Sequence, residues 1–207
     1  MAYSLKSVPR SWAGSVEIQA GDVSATLLSR TNFVQEAAVA HIIPLTHLRV
    51  WDALQTILPA AGANDDLGLL TNTYLTTAPT VESGDSKAAT TSRYARFQFA
   101  VPEHYVAGQA ITLRLNAGMK TTISDTSAAI DAFVVRTAAP TVDICATAAQ
   151  SINSLTAANK DFTITPTDVV VGDILDVRVL ISIVDGATAT AVIGQLNSIS
   201  LLMATKG

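Results

Sequence analysis

The chain has 207 residues, of which 49% are apolar and only 14% are charged, and its formal net charge is −4. Because soluble domains carry about 25% charged residues, we expect copies of the chain or a partner to cover much of its exterior. The thirteen basic residues are scattered along the chain, which argues against a nucleic-acid binder, since such a protein needs a clustered basic surface. Charged residues interrupt every apolar run, so none reaches the length of about 18 residues that a membrane helix needs.

Residues 1–41 are predicted to form an N-terminal arm that packs on something else. No segment in this part of the chain can bury an apolar face alone, and an Ala-rich stretch over 32–40 predicts a helical turn or two. No apolar signal core follows Lys6, so synthesis in a cytoplasm is expected. Large apolar side chains dominate interface energetics. The arm residues that we expect to bury on assembly are Trp12, Val16, Ile18, Phe33 and Val34.

Residues 42–207 are predicted to form one all-β domain of about eight strands with little helix. The first two strands are expected near 48–54 and 67–74. A Thr-, Ser-, Gly- and Asp-rich stretch over 78–92 predicts a long surface loop, and 140–160 lacks any periodicity. Alternating apolar residues predict the further strands, over 95–101, 111–116, 129–136, 162–165, 174–184 and 191–203.

One local pattern occurs twice, 64 positions apart. In each copy a strand stops at a proline, an apolar residue follows in the loop, a glycine releases the chain, and an alternating strand begins. This pattern is typical of a β-arch, and two arches predict a two-sheet sandwich of the jelly-roll (Greek-key) class. The corresponding positions are Pro102 and Pro166, Tyr105 and Val169, Gly108 and Gly172, and Arg114 and Arg178.

Two interpretations of Arg114 and Arg178 stay open. Both project from the strand face opposite the apolar rows, so they can pair with a carboxylate on a neighbouring strand or at a subunit interface. Alternatively, they are ordinary solvent-facing residues without a function. Trp51 is interpreted as a core or interface residue in preference to a platform for a sugar ring.

The sequence predicts no catalytic, cofactor or metal site. His41 and His47 are six residues apart, which suits neither a helical nor a strand pair of metal ligands. His104 has no serine or cysteine nearby in a recognisable nucleophile motif, and no phosphate-binding glycine motif occurs. The single Cys145 excludes an intramolecular disulfide framework, and Asp65 begins no calcium-binding loop.

The runs at 93–108, 163–166 and 172–179 resemble the jelly-roll virion proteins of tailed bacteriophages. In that family an F-x-x-P-x-x-Y-x-x-G arch and an aGD-x-L-x-V-R strand recur in capsid decoration, cement and head-fibre proteins. The resemblance covers about residues 42–203. It implies a homotrimer on the outside of the capsid, bound to the phage major capsid protein at local threefold positions, where it clamps neighbouring subunits.

The sequence therefore predicts a structural virion protein without enzymatic activity, made in the host cytoplasm and carried on the capsid exterior. Its partners would be the major capsid protein and its own copies, with no nucleic acid, membrane or cofactor. The alternative is a receptor- or glycan-binding module of a phage fibre, because jelly rolls also serve as lectins.

Overall fold

The computed structural model describes residues 36–186 and 190–206, so the predicted arm up to Gln35 lies outside the described residues. Within them the chain is nearly all β, with two single turns of 3-10 helix at Leu45–His47 and Pro166–Asp168. None of the helical turns in this part of the chain is long and apolar enough to cross a membrane. The strands are β1 (Glu36–Ile43), β2 (Gly68–Leu70), β3 (Thr80–Glu82), β4 (Thr90–Ala100), β5 (Ile111–Met119), β6 (Ser127–Arg136), β7 (Gln150–Ser151), β8 (Ala158–Ile164), β9 (Ile174–Val184) and β10 (Gly194–Lys206).

The strands form two antiparallel sheets that pack into a sandwich. Sheet A has the order β2-β3-β10-β5-β8, with β1 also paired to β10, and sheet B has the order β4-β9-β6-β7. Strands β3 and β10, β4 and β9, β5 and β8, and β6 and β7 are hydrogen-bonded partners, as in one long hairpin rolled on itself. This nested pairing defines a jelly roll, so the predicted fold class is confirmed.

The core lies between the sheets and is built from alternate residues of the long strands. Strand β9 shows the pattern most clearly, since every second side chain from Leu175 to Ile183 has no exposed surface. Strands β4 and β5 direct Phe97 and Leu113 into the same core. Burial of each such side chain contributes about 1.5–3 kcal/mol. The alternation predicted for these strands is therefore confirmed.

The two predicted arches have the same construction. The side chains of Tyr105 and Val169, one in each arch loop, are buried. The Tyr105 hydroxyl donates a hydrogen bond to the Gln109 carbonyl at 2.7 Å. Gly108 and Gly172 have φ angles of +80° and +83°. A Cβ at either glycine would meet no atom within 4 Å, so the left-handed backbone, and not lack of space, requires glycine there.

Backbone hydrogen bonds join the two arches at one end of the sandwich. Val101 donates to the Asp173 carbonyl at 2.8 Å, and Gly172 donates to the Val101 carbonyl at 3.0 Å. The loop between β6 and β7 reaches the same end, where Thr165 donates to the Ile144 carbonyl at 2.8 Å. We call this region the arch end, and it consists of the loops 101–110, 137–149 and 165–173.

The predicted boundary of the arm is wrong, because residues 36–41 already belong to the sandwich. Strand β1 pairs along its whole length with the second half of β10, from Glu36 opposite Lys206 to Ile43 opposite Ile199. The predicted helical turn over 32–40 is also wrong for 36–40. The open edge of β10 offers a partner to every second backbone group, and this pairing overrides the helical preference of alanine.

Two further predictions in the first half of the chain are wrong. Residues 48–54 form no strand, although Leu48 and Val50 are buried as the pattern predicts. The stretch 78–92 is not only a surface loop, because it contains β3 and the buried Glu82. The Glu82 carboxylate accepts a hydrogen bond from the Lys120 ammonium at 2.7 Å, which compensates its loss of water.

Candidate functional site

The outer face of sheet B carries a cleft of about 590 Å³. Its floor consists of the outward side chains of β4, β9 and β6. One wall is the loop that holds Trp51 and Asp52, and the other is the β6–β7 loop, which contributes Thr137, Thr141 and Asp143. The volume falls within the roughly 300–1,000 Å³ of small-molecule sites, and the lining is mixed apolar and polar.

The strand register places the floor residues in two rows. In one row Arg96 lies opposite Arg178, and Arg178 lies opposite Phe133 on the far strand. In the adjacent row Gln98 lies opposite Asp176. Because side chains of one strand alternate between faces, all five point away from the core and into the cleft.

An ion pair holds the end of the floor that Asp176 occupies. Arg96 donates from Nε to Asp176 Oδ1 at 2.6 Å and from Nη2 to Oδ2 at 2.5 Å, and Gln98 donates to the same Oδ2 at 2.9 Å. Burial raises the pKa of Asp176, but the hydrogen bonds from Arg96 and Gln98 and the Arg96 charge lower it to below its ordinary value. The carboxylate therefore stays ionised and fixes the plane of the Arg96 guanidinium.

Three aromatic rings surround the guanidinium of Arg178. Its Cζ lies 4.3 Å from the ring centroid of Phe133, 5.3 Å from that of Tyr94 and 5.7 Å from that of Trp51. The rings of Trp51 and Tyr94 are themselves 5.2 Å apart, inclined at 44°. Cation–π attraction of this kind holds a guanidinium in place without a carboxylate. The Nε atom of Arg178 is buried and has no hydrogen-bond partner within the described residues.

Backbone pairing fixes the Trp51 wall against the edge of β4. Arg49 and Arg96 exchange two backbone hydrogen bonds, of 2.8 Å and 3.0 Å. The Trp51 carbonyl accepts from Arg96 Nη1 at 3.3 Å, and the Trp51 indole donates to Asp65 Oδ2 at 3.0 Å. Trp51 is therefore held at its backbone carbonyl and at its indole N–H, and the loop covers the edge of the sheet that would otherwise be unpaired.

Asp143 fixes the opposite wall. Its Oδ1 accepts hydrogen bonds from the backbone N–H groups of Val134 at 3.0 Å and Cys145 at 2.9 Å. Both bonds use the same oxygen, which leaves the acceptor capacity of Oδ2 for a ligand in the cleft that Asp143 lines. The Cys145 thiol nearby is half-buried, and burial raises its pKa, which keeps it protonated at neutral pH.

The two arginines that correspond in the sequence have different surroundings. Arg114 forms a bidentate ion pair with Asp161 on the neighbouring strand β8, with both hydrogen bonds at 2.7 Å. This is the pairing on a neighbouring strand that the sequence analysis allows for. Arg178 has no such carboxylate and lies in the cleft. A role of either residue at a subunit interface stays a prediction.

The other predicted site residues lie elsewhere or outside the described part of the chain. Trp12, Val16, Ile18, Phe33 and Val34 all fall within residues 1–35, which the structure does not describe. Of the residues that form the cleft with Trp51, Arg178 is a predicted site residue, with an expected role at an interface, and the others are not predicted. The one signal in the sequence was the outward position of Tyr94 and Phe133 on their strands.

The described residues contain no group of three or more His, Cys, Asp or Glu side chains that could hold a metal ion. His47 and His104 are exposed at separate places, and His41 packs against Phe99 with the ring centroids 5.6 Å apart. The side chains of the cleft offer stacking, hydrogen bonding and charge to a ligand.

No protein-family model matches the chain, and no curated protein matches it. Among solved structures, a xylan-binding module named CBM15 is similar with a TM-score of 0.41 and 14% identity, over 83% of this chain and 100% of that one. The module TmCBM61, in complex with β-1,4-galactotriose, has a TM-score of 0.38 and 12% identity, and the match covers 69% of this chain and 86% of that one. A structure of infectious bursal disease virus has a TM-score of 0.28 and 12% identity, and the match covers 72% of this chain and 42% of that one. These values assign neither a ligand nor a partner to this chain.

Proposed function

We propose that the chain is a structural protein of a tailed-phage virion. It is a capsid decoration or cement protein, binds the outside of the head as a homotrimer and stabilises contacts between major capsid proteins. The proposal rests on the resemblance of the two arch sequences to phage virion proteins and on one structural observation, the apolar surface of the arch end. It assigns no enzymatic activity.

Apolar side chains of the arch end, and of Ile174 where β9 begins next to it, are exposed to solvent although the backbone that carries them is anchored by hydrogen bonds. Val142, Val170, Val171 and Ile174 each expose between 41% and 53% of their surface. Single exposed apolar residues are ordinary, but several at one end of a molecule with few charges are typical of a contact surface. We infer that this end faces the shell.

Contacts within the chain hold the loop around Val170. The Asp173 carboxylate accepts a hydrogen bond from the Val170 backbone N–H at 2.9 Å and lies 3.7 Å from Arg136 Nη1. A contact surface that is already ordered loses less conformational entropy on binding. Burial contributes about 25 cal/mol per Å² of apolar surface, and in a trimer three such weak contacts add through avidity.

The oligomeric state tests the first part of the proposal. Light scattering coupled to size-exclusion chromatography should give a mass near three times the 21.6 kDa of the chain. A monomer at all concentrations would contradict the homotrimer.

Loading of phage heads tests the contact surface. Heads that lack the chain are incubated with the wild type or with the double variant Val170→Lys and Val171→Lys, and bound protein is measured after sedimentation. We expect the double variant to bind at least about tenfold more weakly, because two charges are placed in a desolvated contact. The matched control is Leu155→Lys, which changes a side chain that is 59% exposed in the β7–β8 loop at the opposite end. Equal loading of wild type and double variant would remove the arch end from the mechanism.

A further inference from the structure

We propose that the cleft on sheet B binds a neutral carbohydrate, with a pyranose ring placed between the Trp51 wall and the Asp143 wall. This inference is separate from the attachment to a capsid and supports the glycan-binding alternative as an additional activity of the same chain. It rests on three properties of the cleft. These are its hydrogen-bond donors and acceptors, the guanidinium of Arg178, which forms no ion pair with any residue that the structure describes, and the balance of charges along the lining.

Sugar hydroxyl groups both donate and accept hydrogen bonds, so a carbohydrate site needs acceptors and donors at short range. The carboxylates of Asp52 and Asp143 only accept, and the guanidinium of Arg178 only donates. Thr141 at the rim can do both. The rings of Trp51 and Phe133 add apolar surface for the C–H groups of a sugar.

Arg178 packs among three rings and forms no ion pair within the described residues, while Asp131 interacts with its charge at longer range, so its terminal donors stay available to a ligand. Its Nε is buried without a partner in the described part of the chain. Its counterpart Arg114 uses the same type of strand position for an ion pair with Asp161. A buried donor without an acceptor is unfavourable. Because Nε is closed to solvent, a ligand in the cleft would be bound by the terminal N–H groups of the guanidinium, which belong to a residue that lines the cleft.

The charges of the cleft favour a neutral sugar over an acidic one. Arg96 is neutralised by its bidentate pair with Asp176. The cation of Arg178 then stands against the carboxylates of Asp52 and Asp143 and that of Asp131, which interacts with both Arg178 and Asp143. A carboxylate-bearing sugar would bring a further negative charge into this space, whereas a neutral sugar can use both kinds of group.

Fluorescence of Trp51 reports on the cleft directly. The chain has two tryptophans, so the variant Trp12→Phe leaves Trp51 as the sole indole. This protein is titrated with neutral oligosaccharides of glucose, galactose, mannose and xylose, and with oligosaccharides of the matching uronic acids. We expect at least one neutral sugar to change the emission with a Kd at or below about 1 mM.

Three variants then locate the site. Arg178→Met removes the donors and keeps the length of the side chain, and Gln98→Ala removes an exposed amide from the floor. We expect Arg178→Met to weaken binding at least about tenfold and Gln98→Ala severalfold. The matched control Arg114→Met, on the outer face of sheet A, should bind as the wild type does. Thermal unfolding of each variant checks that it is folded.

Each result of these titrations either supports or overturns the carbohydrate site. Loss of binding in Arg178→Met but not in Arg114→Met supports the site. Binding of acidic sugars alone would overturn the neutral ligand, and equal effects of the two arginine variants would overturn the location. Absence of any binding up to about 10 mM sugar would overturn the activity. Because the purified chain is used, these results do not depend on whether it attaches to a capsid.

Discussion

Arg114 and Arg178 follow two arches of the same build, yet one forms an exposed ion pair and the other lies in an aromatic cleft. On sheet A the neighbour of Arg114 across the strand pair is Asp161. On sheet B the neighbours of Arg178 are Arg96 and Phe133. The repeated arch thus determines where the strand begins and which way its side chains point, whereas the flanking strands determine what the position does.

The two sheets should differ most when one ion-paired aspartate is replaced in each of them. Asp176 is 6% exposed and neutralises Arg96, so Asp176→Asn should lower the free energy of unfolding by about 2 kcal/mol, after allowance for the partial exposure of Arg96. Urea unfolding measures this. The matched Asp161→Asn removes an exposed pair and should have an effect close to the error of the measurement. Equal effects of the two variants would show that the two faces do not differ in this way.

The glycines of the two arches offer the opposite test, because here the two copies should agree. Gly108→Ala and Gly172→Ala each place a Cβ on a backbone with positive φ but in open space. Each should therefore cost about 1–2 kcal/mol from conformation alone. The two free energies of unfolding should match within about 0.5 kcal/mol. A large cost at one position only would mean that the arches are not equivalent.

Lowering the pH should also distinguish Asp176 from Asp161, with a smaller effect on the free energy of unfolding. Arg96 and Gln98 keep the pKa of Asp176 below its ordinary value in the folded protein despite burial. The stabilisation is therefore complete above the unfolded pKa of about 4 and is lost as the pH falls through the folded pKa.

Unfolding by urea between about pH 2 and pH 6 measures this loss. The free energy of unfolding of Asp176→Asn should fall less steeply toward acid than that of the wild type. The Arg114 hydrogen bond also lowers the pKa of Asp161, but this pair is exposed, so Asp161→Asn should keep a slope close to that of the wild type. A wild-type slope in Asp176→Asn would contradict the assigned role of the ion pair.

The sequence predicted the parts of the fold that depend on long alternating runs. The sequence predicts strand β9 because five apolar residues recur at every second position, and three of the four residues between them are polar. Strand β1 was missed because Ala-rich residues carry no such pattern and become a strand only through the free edge of β10. Strand β3 was missed because it has three residues and buries Glu82, whose charge is compensated by the distant Lys120.

The cleft was beyond prediction from the sequence for a similar reason. Trp51 comes from a loop, Tyr94 from β4 and Phe133 from β6, and only the register of the strands brings their rings around one guanidinium. The spacing of these residues along the chain has no period. The place of Arg178 in the repeat identifies it as a candidate, but the sequence does not show which residues surround it.

The central proposal is that the chain attaches to the outside of a phage head. It is tested most directly by cryo-electron microscopy and quantitative mass spectrometry of purified virions of the tailed phage that we propose as its source. We predict trimeric jelly-roll density on the outer surface at local threefold positions, with the arch end toward the shell and a copy number in fixed proportion to the major capsid protein. Absence of the chain from mature particles would contradict the account.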